Sequence, residues 1–302
     1  MRVIRYHSAG GPEVLRAEDG QPPVPGEGEL LIRAAAIGVT RPAVRRVRET
    51  TGPFPAVPGG EVAGEVIDVG PGVTGWAVGE RVAALPFGGS YAGVVTAPAV
   101  MASRLPAGAS FVHAVALVRS GHVALGVLDA AAVQPGESVL VTAAASGVGH
   151  LLVQAARRRG AGRVVAVASK IKADFLYGLG ADEVLDYDDL SPAEPVDVVL
   201  DGAGGDVLPR ALAAARPGGR LIFFASGGGT VPAFDLLSGA KTITGFAMAH
   251  FARNHRDRYA EHGEQVWQLT PTIHAELPLE QAARAHEIVE ARQNRGKVVL
   301  VP

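Results

Sequence analysis

An apolar strand, a turn of small residues and a helix follow one another over residues 138–160. Residues 138–144 form one apolar run, which is typical of a parallel strand covered on both faces. The turn continues to Gly149, and residues 148–159 then carry apolar residues at helical spacing. Small residues let a pyrophosphate approach backbone N–H groups at a helix N-terminus, where the helix dipole favours negative charge. The unit therefore predicts a dinucleotide site.

The glycine pattern of this turn is incomplete. Compared with Gly-x-Gly-x-x-Gly, Ala144 and Ser146 stand where the first two glycines would be, and Gly149 keeps the last position. Gly149 is the residue that would let the helix pack tightly on the strand. A tight strand–helix turn without any ligand is therefore an alternative interpretation of the turn taken alone.

The end of the following strand indicates which cofactor binds. It reads Ala168-Ser169-Lys170-Ile171-Lys172 and contains no carboxylate. A free ribose 2′-hydroxyl usually meets an acidic residue about twenty positions after the glycines. A hydroxyl and two ammonium groups instead suit a 2′-phosphate, through hydrogen bonds and charge. Lys170 and Lys172 can alternatively be exposed lysines at the start of a helix. Together the turn and the strand end predict NADPH rather than NADH.

The pattern of apolar and turn residues changes near residue 138. Before it, short apolar runs at 29–37, 61–69, 81–85 and 91–96 alternate with Gly/Pro turns, which predicts an antiparallel sheet or small barrel. A helix is expected near residues 110–131. After residue 138, strands and helices alternate through residue 225, which predicts a parallel sheet. A helix at 279–292 and a strand at 297–301 complete the chain. We therefore expect an α/β protein with two domains, the second a doubly wound parallel sheet.

Composition excludes several classes. The 302 residues carry a formal net charge of −2, so nothing indicates a nucleic-acid partner. The cluster of Arg41, Arg45, Arg46 and Arg48 is interpreted as a solvated face. No cysteine is present, which excludes disulfides and thiolate zinc sites and fits a reducing cytosol. No run approaches 18 uninterrupted apolar residues, so no membrane span is expected. The expected location is cytoplasmic.

Ordered short motifs extend over nearly the whole chain. They are Ala35-Ala36-Ile37-Gly38-Val39, Val57-Pro58-Gly59-Gly60-Glu61-Val62-Ala63-Gly64, Val69-Gly70-Pro71-Gly72-Val73, Gly79-Glu80-Arg81-Val82, Gly88-Gly89-Ser90-Tyr91-Ala92, Pro135-Gly136-Glu137, Leu179-Gly180-Ala181-Asp182, Pro217-Gly218-Gly219-Arg220 and Gly296-Lys297-Val298-Val299-Leu300. Their order and spacing resemble the zinc-independent quinone oxidoreductase branch of the medium-chain dehydrogenase/reductase superfamily.

The resemblance implies a GroES-like β-rich domain from residues 1–117 and 247–302, and a Rossmann domain from residues 118–246. It implies that the cofactor lies in the cleft with its nicotinamide toward the β-rich domain, and that the protein is a homodimer formed through edge strands of the Rossmann sheet. The residues it assigns to NADPH are Ser146, Gly147, Val148 and Gly149 at the pyrophosphate, Ser169 and Lys172 at the 2′-phosphate, Tyr187 near the adenosine, and Ala203, Ala225, Ser226 and Gly227 beside the nicotinamide.

The substrate half departs from the family pattern. Thr40 and Arg45 stand where the family usually carries asparagine and tyrosine, and His122 replaces a threonine on the nicotinamide side. His122 is a candidate proton donor because the pKa of histidine lies near neutrality; its alternative is a packed, hydrogen-bonded histidine. Arg119 is a candidate to polarise a carbonyl or hold a carboxylate. The histidines show no paired ligand spacing, so no metal is expected.

These observations predict an NADPH-dependent, metal-free reductase of a quinone or an α,β-unsaturated carbonyl compound. A second interpretation keeps the cofactor and lets arginines select an anionic acceptor. A third, from another class, is a nucleotide-binding redox sensor or a partner protein without turnover, since the usual pocket asparagine and tyrosines are missing.

Overall fold

Two stretches far apart in sequence, residues 1–119 and 273–302, build the first of two units in the computed structural model, which describes all 302 residues. Residues 120–272 build the second. The expected boundary after residue 246 differs from this division. Helices α8 (Met248–Asn254) and α9 (Arg256–Gln265) pack on α3 (Ser120–Ala130), so residues 247–272 belong to the second unit.

The first unit contains a seven-stranded sheet. The elements of this unit are β1 (Arg2–Arg5), β2 (Arg16–Asp19), β3 (Glu29–Val39), α1 (Arg41–Glu49), β4 (Val62–Val69), β5 (Arg81–Ala84), β6 (Val94–Pro98), β7 (Ala102–Arg104), α2 (Phe111–Val118), β14 (Ile273–Pro278), α10 (Ala282–Glu290) and β15 (Lys297–Val301). Strands β1 and β2 pair with each other in a separate two-stranded sheet. The sheet runs β14-β15-β3-β4-β5-β7, and β6 pairs with β3 as well. The long, mostly buried β3 therefore holds the two stretches of chain together, because the C-terminal β15 pairs with it antiparallel.

The second unit is a doubly wound parallel sheet. Its remaining elements are β8 (Ser138–Val141), α4 (Gly149–Arg158), β9 (Arg163–Val167), α5 (Ala173–Gly178), β10 (Glu183–Leu185), β11 (Val196–Asp201), α6 (Val207–Ala213), β12 (Ala215–Phe223), α7 (Ala233–Ser238) and β13 (Thr242–Gly245). All five pairings are parallel, in the order β10-β9-β8-β11-β12-β13. This is the strand order of a dinucleotide-binding fold, and the predicted α/β class is confirmed.

The apolar segment predicted as one helix over residues 110–131 is broken at Arg119 into α2 and α3. Residues 111–130 are long and apolar enough to cross a membrane, but 78% of the most apolar window is buried in the protein, as in the core helices of soluble proteins. Arg119 stands at the break, where α2 ends and α3 begins.

Candidate functional site

The turn between β8 and α4 brings backbone to backbone at very short range. A Cβ built on Gly149 would lie 2.2 Å from the Ala143 carbonyl oxygen and 2.7 Å from the Ala144 Cα atom. Ala143 itself has a φ of 49°, a left-handed conformation that side chains other than glycine rarely adopt. The Ser146 hydroxyl accepts a hydrogen bond of 3.0 Å from the Gly149 N–H. The glycine is therefore required for packing, as expected from the sequence, and the Ser146 hydroxyl binds the N–H of the first residue of α4.

Two side chains on α4 bind the segment that leads into β14. His150 Nδ1 lies 2.8 Å from the Ser146 carbonyl oxygen, and His150 Nε2 accepts a 3.0 Å bond from the Thr272 N–H. In this arrangement Nδ1 serves as the donor and Nε2 as the acceptor. One turn later, Gln154 exchanges two bonds of 3.0 Å with the backbone of Thr270. These contacts fix the beginning of α4, and nothing in the sequence pattern indicates them.

A buried hydroxyl and carboxylate organise the loop after β11. The Thr142 hydroxyl donates to Asp201 Oδ1 at 2.5 Å and accepts from the N–H groups of Gly202 and Ala203 at 3.0 and 3.1 Å. Asp201 Oδ2 accepts from the Gly204 N–H at 3.1 Å. Burial raises the pKa of Asp201, against these hydrogen bonds. Because Thr142 and Asp201 lie at the carboxyl ends of adjacent strands, they hold this loop at the edge where open α/β sheets bind ligands.

The loop after β12 lies directly against the loop after β11. The Gly205 N–H donates to the Gly228 carbonyl oxygen at 2.8 Å, and a Cβ on Gly204 would lie 3.0 Å from that of Ala225. Ala203 and the segment 225–227 are consequently neighbours at one edge of the sheet. The sequence assignment placed both beside the nicotinamide, and the structure brings the two segments together.

The predicted 2′-phosphate residues follow β9. Ser169 is exposed, and Lys172 is buried and ends a short 3₁₀ turn that begins at Lys170. A carboxylate reaches this segment from the next strand: Asp186 Oδ2 accepts from the Lys170 N–H at 3.0 Å, and this bond lowers the pKa of Asp186. The strand end itself carries no carboxylate, but the fold supplies one. Tyr187 packs on the core of the sheet.

A buried ion cluster, formed by Glu61, Lys297 and Arg119, lies in the first unit. Lys297 Nζ donates to Glu61 Oε2 at 2.5 Å, and Arg119 Nε lies 3.0 Å from Glu61 Oε1 as an ion pair. Glu61 and Lys297 are fully buried. Burial lowers the pKa of Lys297, although Glu61 acts in the opposite direction. A Cβ on Gly38 would lie 2.0 Å from Glu61 Oε2, so a glycine in β3 is what makes room for the pair.

Arg119 also contacts a strained loop. Its Nη2 donates to the Gly60 carbonyl oxygen at 3.3 Å, and its guanidinium carbon lies 5.1 Å from the centre of the Phe87 ring. Phe87 has a φ of 61°, which is unfavourable for a bulky residue. Arg46 Nη1 donates to the Phe87 carbonyl oxygen at 2.7 Å. Two arginines therefore hold Phe87, and such strain is common at ligand-binding positions.

Thr40 and Arg45 already have structural partners. The Thr40 hydroxyl accepts from the Ala43 N–H at 3.2 Å and caps α1. Arg45 Nε lies 2.7 and 2.8 Å from the two carboxylate oxygens of Glu49, one helical turn away. Capping and helix-surface pairing account for both side chains. These placements favour the solvated-face interpretation of Arg45.

His122 lies in a buried aromatic cluster of the second unit. It is 1% exposed, and its ring stacks on Tyr259 of α9 with centroids 4.3 Å apart. Beside it, His262 Nε2 lies 2.9 Å from Asp129, which is also bonded by Arg258. Partial burial raises the pKa of Asp129, but hydrogen bonds from His262 and the arginines hold it well below the usual range. This placement favours the packed-histidine interpretation of His122.

Apart from Arg119, the charged residues of these buried networks were not among the predicted site residues. Glu61 and Lys297 carried a usable signal, because a charged residue inside or at the start of an apolar strand is rarely buried without a partner. Asp129 and His262 carried none, because neither stands in a recognisable motif and their contact spans 133 positions. No group of three or more His, Cys, Asp or Glu side chains has the arrangement of a metal site.

Two family descriptions match the chain. Residues 26–109 match the alcohol dehydrogenase GroES-like domain, and residues 179–300 match the zinc-binding dehydrogenase family. The fold and the motif order thus define a medium-chain dehydrogenase/reductase.

The relatives narrow the class. The chain is 31% identical to 2-haloacrylate reductase from a Burkholderia species, with 98% of this chain and 97% of the relative covered. It is 30% identical to quinone oxidoreductase 1 of Escherichia coli K12, with 99% of each covered. The Escherichia coli quinone oxidoreductase complexed with NADPH superposes with a TM-score of 0.93 at 30% identity, covering 100% of both chains. A mycobacterial protein complexed with NADPH superposes with a TM-score of 0.92 at 34% identity over 100% of both.

The chain therefore belongs to the medium-chain dehydrogenase/reductase superfamily, in its quinone oxidoreductase branch. This confirms the resemblance drawn from the ordered motifs.

Proposed function

We propose that this protein is an NADPH-dependent oxidoreductase that transfers hydride to a quinone or an α,β-unsaturated carbonyl compound. The observation that carries the proposal is the turn at 143–149, whose Gly149 permits the close helix–strand packing of a dinucleotide-binding turn, in a chain of the quinone oxidoreductase branch. Solved relatives with the same fold hold NADPH.

The cofactor residues of the proposal are those at the carboxyl ends of the sheet strands. Bound NADPH supplies the hydride, and the protein holds and orients it. Ser146, Gly147, Val148 and Gly149 would bind the pyrophosphate, Ser169 and Lys172 the 2′-phosphate, Tyr187 the adenosine side, and Ala203 with Ala225, Ser226 and Gly227 the nicotinamide. The adjacency of the loops after β11 and β12 supports the last assignment.

Among the four candidate catalytic residues, Arg119 has the placement that best suits contact with an acceptor. Thr40 caps α1, Arg45 pairs with Glu49, and His122 is buried against α9. The proton that completes reduction of an enone therefore comes from water in this proposal. We also propose that catalysis requires no metal. This is supported by the side chains themselves, because no three His, Cys, Asp or Glu residues are arranged to hold a metal ion.

Further parts of the proposal concern assembly and location. Strand β13 is an edge of the parallel sheet, and α7, just before it in the chain, exposes Phe234 and Leu237. An open edge beside exposed apolar side chains supports a homodimer formed through β13. A cytoplasmic location is proposed from the absence of cysteine.

The test is loss of nicotinamide absorbance when a panel of quinones and enones is added, with NADPH and NADH in parallel. The proposal expects turnover with NADPH. Thr40 and Arg45, two of the predicted pocket residues, are already bonded to Ala43 and Glu49. This favours one alternative function, a redox sensor that binds NADPH without turnover. Tight NADPH binding with no acceptor reduced across the panel would establish the sensor instead.

A further inference from the structure

The Glu61–Lys297–Arg119 cluster has an excess of positive charge. It contains two cations and one carboxylate, and all three groups contact one another through Glu61. Lys297 already occupies Oε2, so Arg119 shares a carboxylate whose charge is divided between two cations. An incompletely neutralised guanidinium attracts an anion, and the attraction is stronger where the surroundings exclude water.

Arg119 is the member of the cluster that an anion can reach. Its Nε is buried against Glu61, while 17% of its side chain remains exposed, compared with 3% for Lys297 and 0% for Glu61. The pair behind it fixes one edge of the guanidinium, and the Gly60 carbonyl fixes Nη2. A guanidinium held in this way is ready to bind a carboxylate with its remaining donors at little entropic cost.

The neighbouring loop is suited to the rest of such a ligand. The Phe87 ring lies beneath the guanidinium, and Arg46, a further cation, is bonded to the Phe87 carbonyl. Glycines stand beside both guanidinium groups: a Cβ on Gly60 would lie 3.3 Å from Arg119 Nη2, and one on Gly88 would lie 3.3 Å from Arg46 Nη1. The positive groups are therefore flanked by backbone rather than by bulky side chains.

We propose that Arg119, held by the buried Glu61–Lys297 pair, binds the carboxylate of an α,β-unsaturated acid and makes such acids preferred acceptors. The inference rests on the proposed function. Hydride from NADPH adds to the β-carbon, the electron pair of the double bond moves toward the carboxylate, and a proton from water then adds to the α-carbon. NADPH is oxidised to NADP⁺ and the double bond becomes single. Charge grows on the carboxylate oxygens during this step, so Arg119 stabilises the transition state as well as the bound acid.

The experiment compares 2-chloroacrylate with its methyl ester, which share the reacting double bond and differ in charge. The wild-type protein is expected to prefer the acid. Arg119→Met is expected to lower kcat/KM for the acid by about 10- to 100-fold, the value of a charged hydrogen bond, and to lower kcat/KM for the ester and for a neutral quinone by a smaller factor, so that the acid-to-ester ratio falls. Arg119→Lys keeps the positive charge but loses the two-pronged guanidinium geometry, so its kcat/KM for the acid is expected to lie between those of the wild type and Arg119→Met.

A matched control and a binding measurement separate the outcomes. Arg33→Met removes one positive charge from an exposed side chain of the same unit and should leave the acid-to-ester ratio unchanged. Titration of 2-chloropropionate into the protein with NADP⁺ should give heat that Arg119→Met abolishes. Equal losses on acid and ester, or a raised KM for NADPH with every acceptor, would overturn the assignment of Arg119 to the substrate. Turnover of a neutral quinone without preference for the acid would overturn this inference alone, whereas absence of all turnover would count against the proposed function.

Discussion

The buried pair of Tyr91 and His286 makes stability depend on pH. The Tyr91 hydroxyl lies 3.1 Å from His286 Nε2, and both side chains are buried. Burial lowers the pKa of His286 from 6.5 to about 4, and it raises the pKa of Tyr91 well above its usual range, with Glu61 adding to the effect. The folded protein therefore keeps His286 neutral where the unfolded chain would be protonated.

We expect the free energy of unfolding to fall by about 3 kcal/mol between pH 6.5 and pH 4 because of His286. Above pH 6.5 both states carry a neutral imidazole, and the contribution is complete. As pH falls through this window, the unfolded chain takes up a proton that the folded protein excludes. Urea unfolding at a series of pH values should show the loss, and His286→Gln should reduce it. The same pH dependence in the variant would show that another group is responsible.

A second prediction at the residue scale concerns cofactor choice. Ser169→Asp combined with Lys172→Ala should weaken NADPH binding by at least about tenfold, because a carboxylate replaces a hydroxyl and a cation is lost where the 2′-phosphate would bind. NADH binding should change little. Nicotinamide fluorescence titration measures both, and Arg158→Ala, which removes an exposed cation from the end of α4, is the matched control. An unchanged NADPH affinity in the double variant would remove these two residues from the 2′-phosphate site.

At the scale of elements, the turn between β8 and α4 depends on one glycine. Gly149→Ala should destabilise the protein by about 2 kcal/mol or more, because the added Cβ meets backbone atoms that cannot move independently. NADPH affinity should fall with it, since the start of α4 must shift. Thermal unfolding and a fluorescence titration report the two effects. Gly178→Ala in α5, where an added Cβ meets nothing within 4 Å, should leave both unchanged. Unaltered NADPH binding in Gly149→Ala would show that the close packing is dispensable.

The elements differ in how far the sequence determines them. The strands and helices from β8 to β12 were predictable because each is an apolar run or an amphipathic repeat between turn residues. The break at Arg119 was not, because residues 111–130 read as one apolar helix and only the distant Glu61 explains why a cation interrupts it. Helices α8 and α9 carry no motif, and their assignment to the second unit depends on packing against α3.

The residues of the candidate site also divide into those that the sequence predicts and those that it does not. Gly149 was predictable from a local pattern, because a strand–turn–helix with a single close approach has few solutions. The roles of Thr142 and Asp201 were not, since their contact joins two strands that are 59 positions apart in sequence. Asp186 shows the limit most directly: the strand after the turn ends without a carboxylate, and the adjacent strand provides one at the Lys170 N–H.

At the scale of the whole molecule, the edge strand β13 and the exposed apolar side chains of α7 give a prediction about assembly. Phe234 is 71% exposed and Leu237 is 75% exposed, both on α7. If copies of the chain associate through β13, Phe234→Glu with Leu237→Glu should convert a dimer into a monomer, because each charge would be buried in the interface. Light scattering after size exclusion measures the mass. Val24→Glu, at an exposed apolar residue of the first unit, is the control. A variant that keeps the dimer mass would place the interface elsewhere.

The Glu61–Lys297 contact also affects the order in which the two units can fold during synthesis. Its two partners are separated by 236 positions, so a growing chain exposes Glu61 long before its lysine has been made. Residues 120–272 are complete by then and can fold as a unit, whereas β3 still waits for β15 and the carboxylate must stay hydrated. The first unit to be started on the ribosome is therefore the last to be finished.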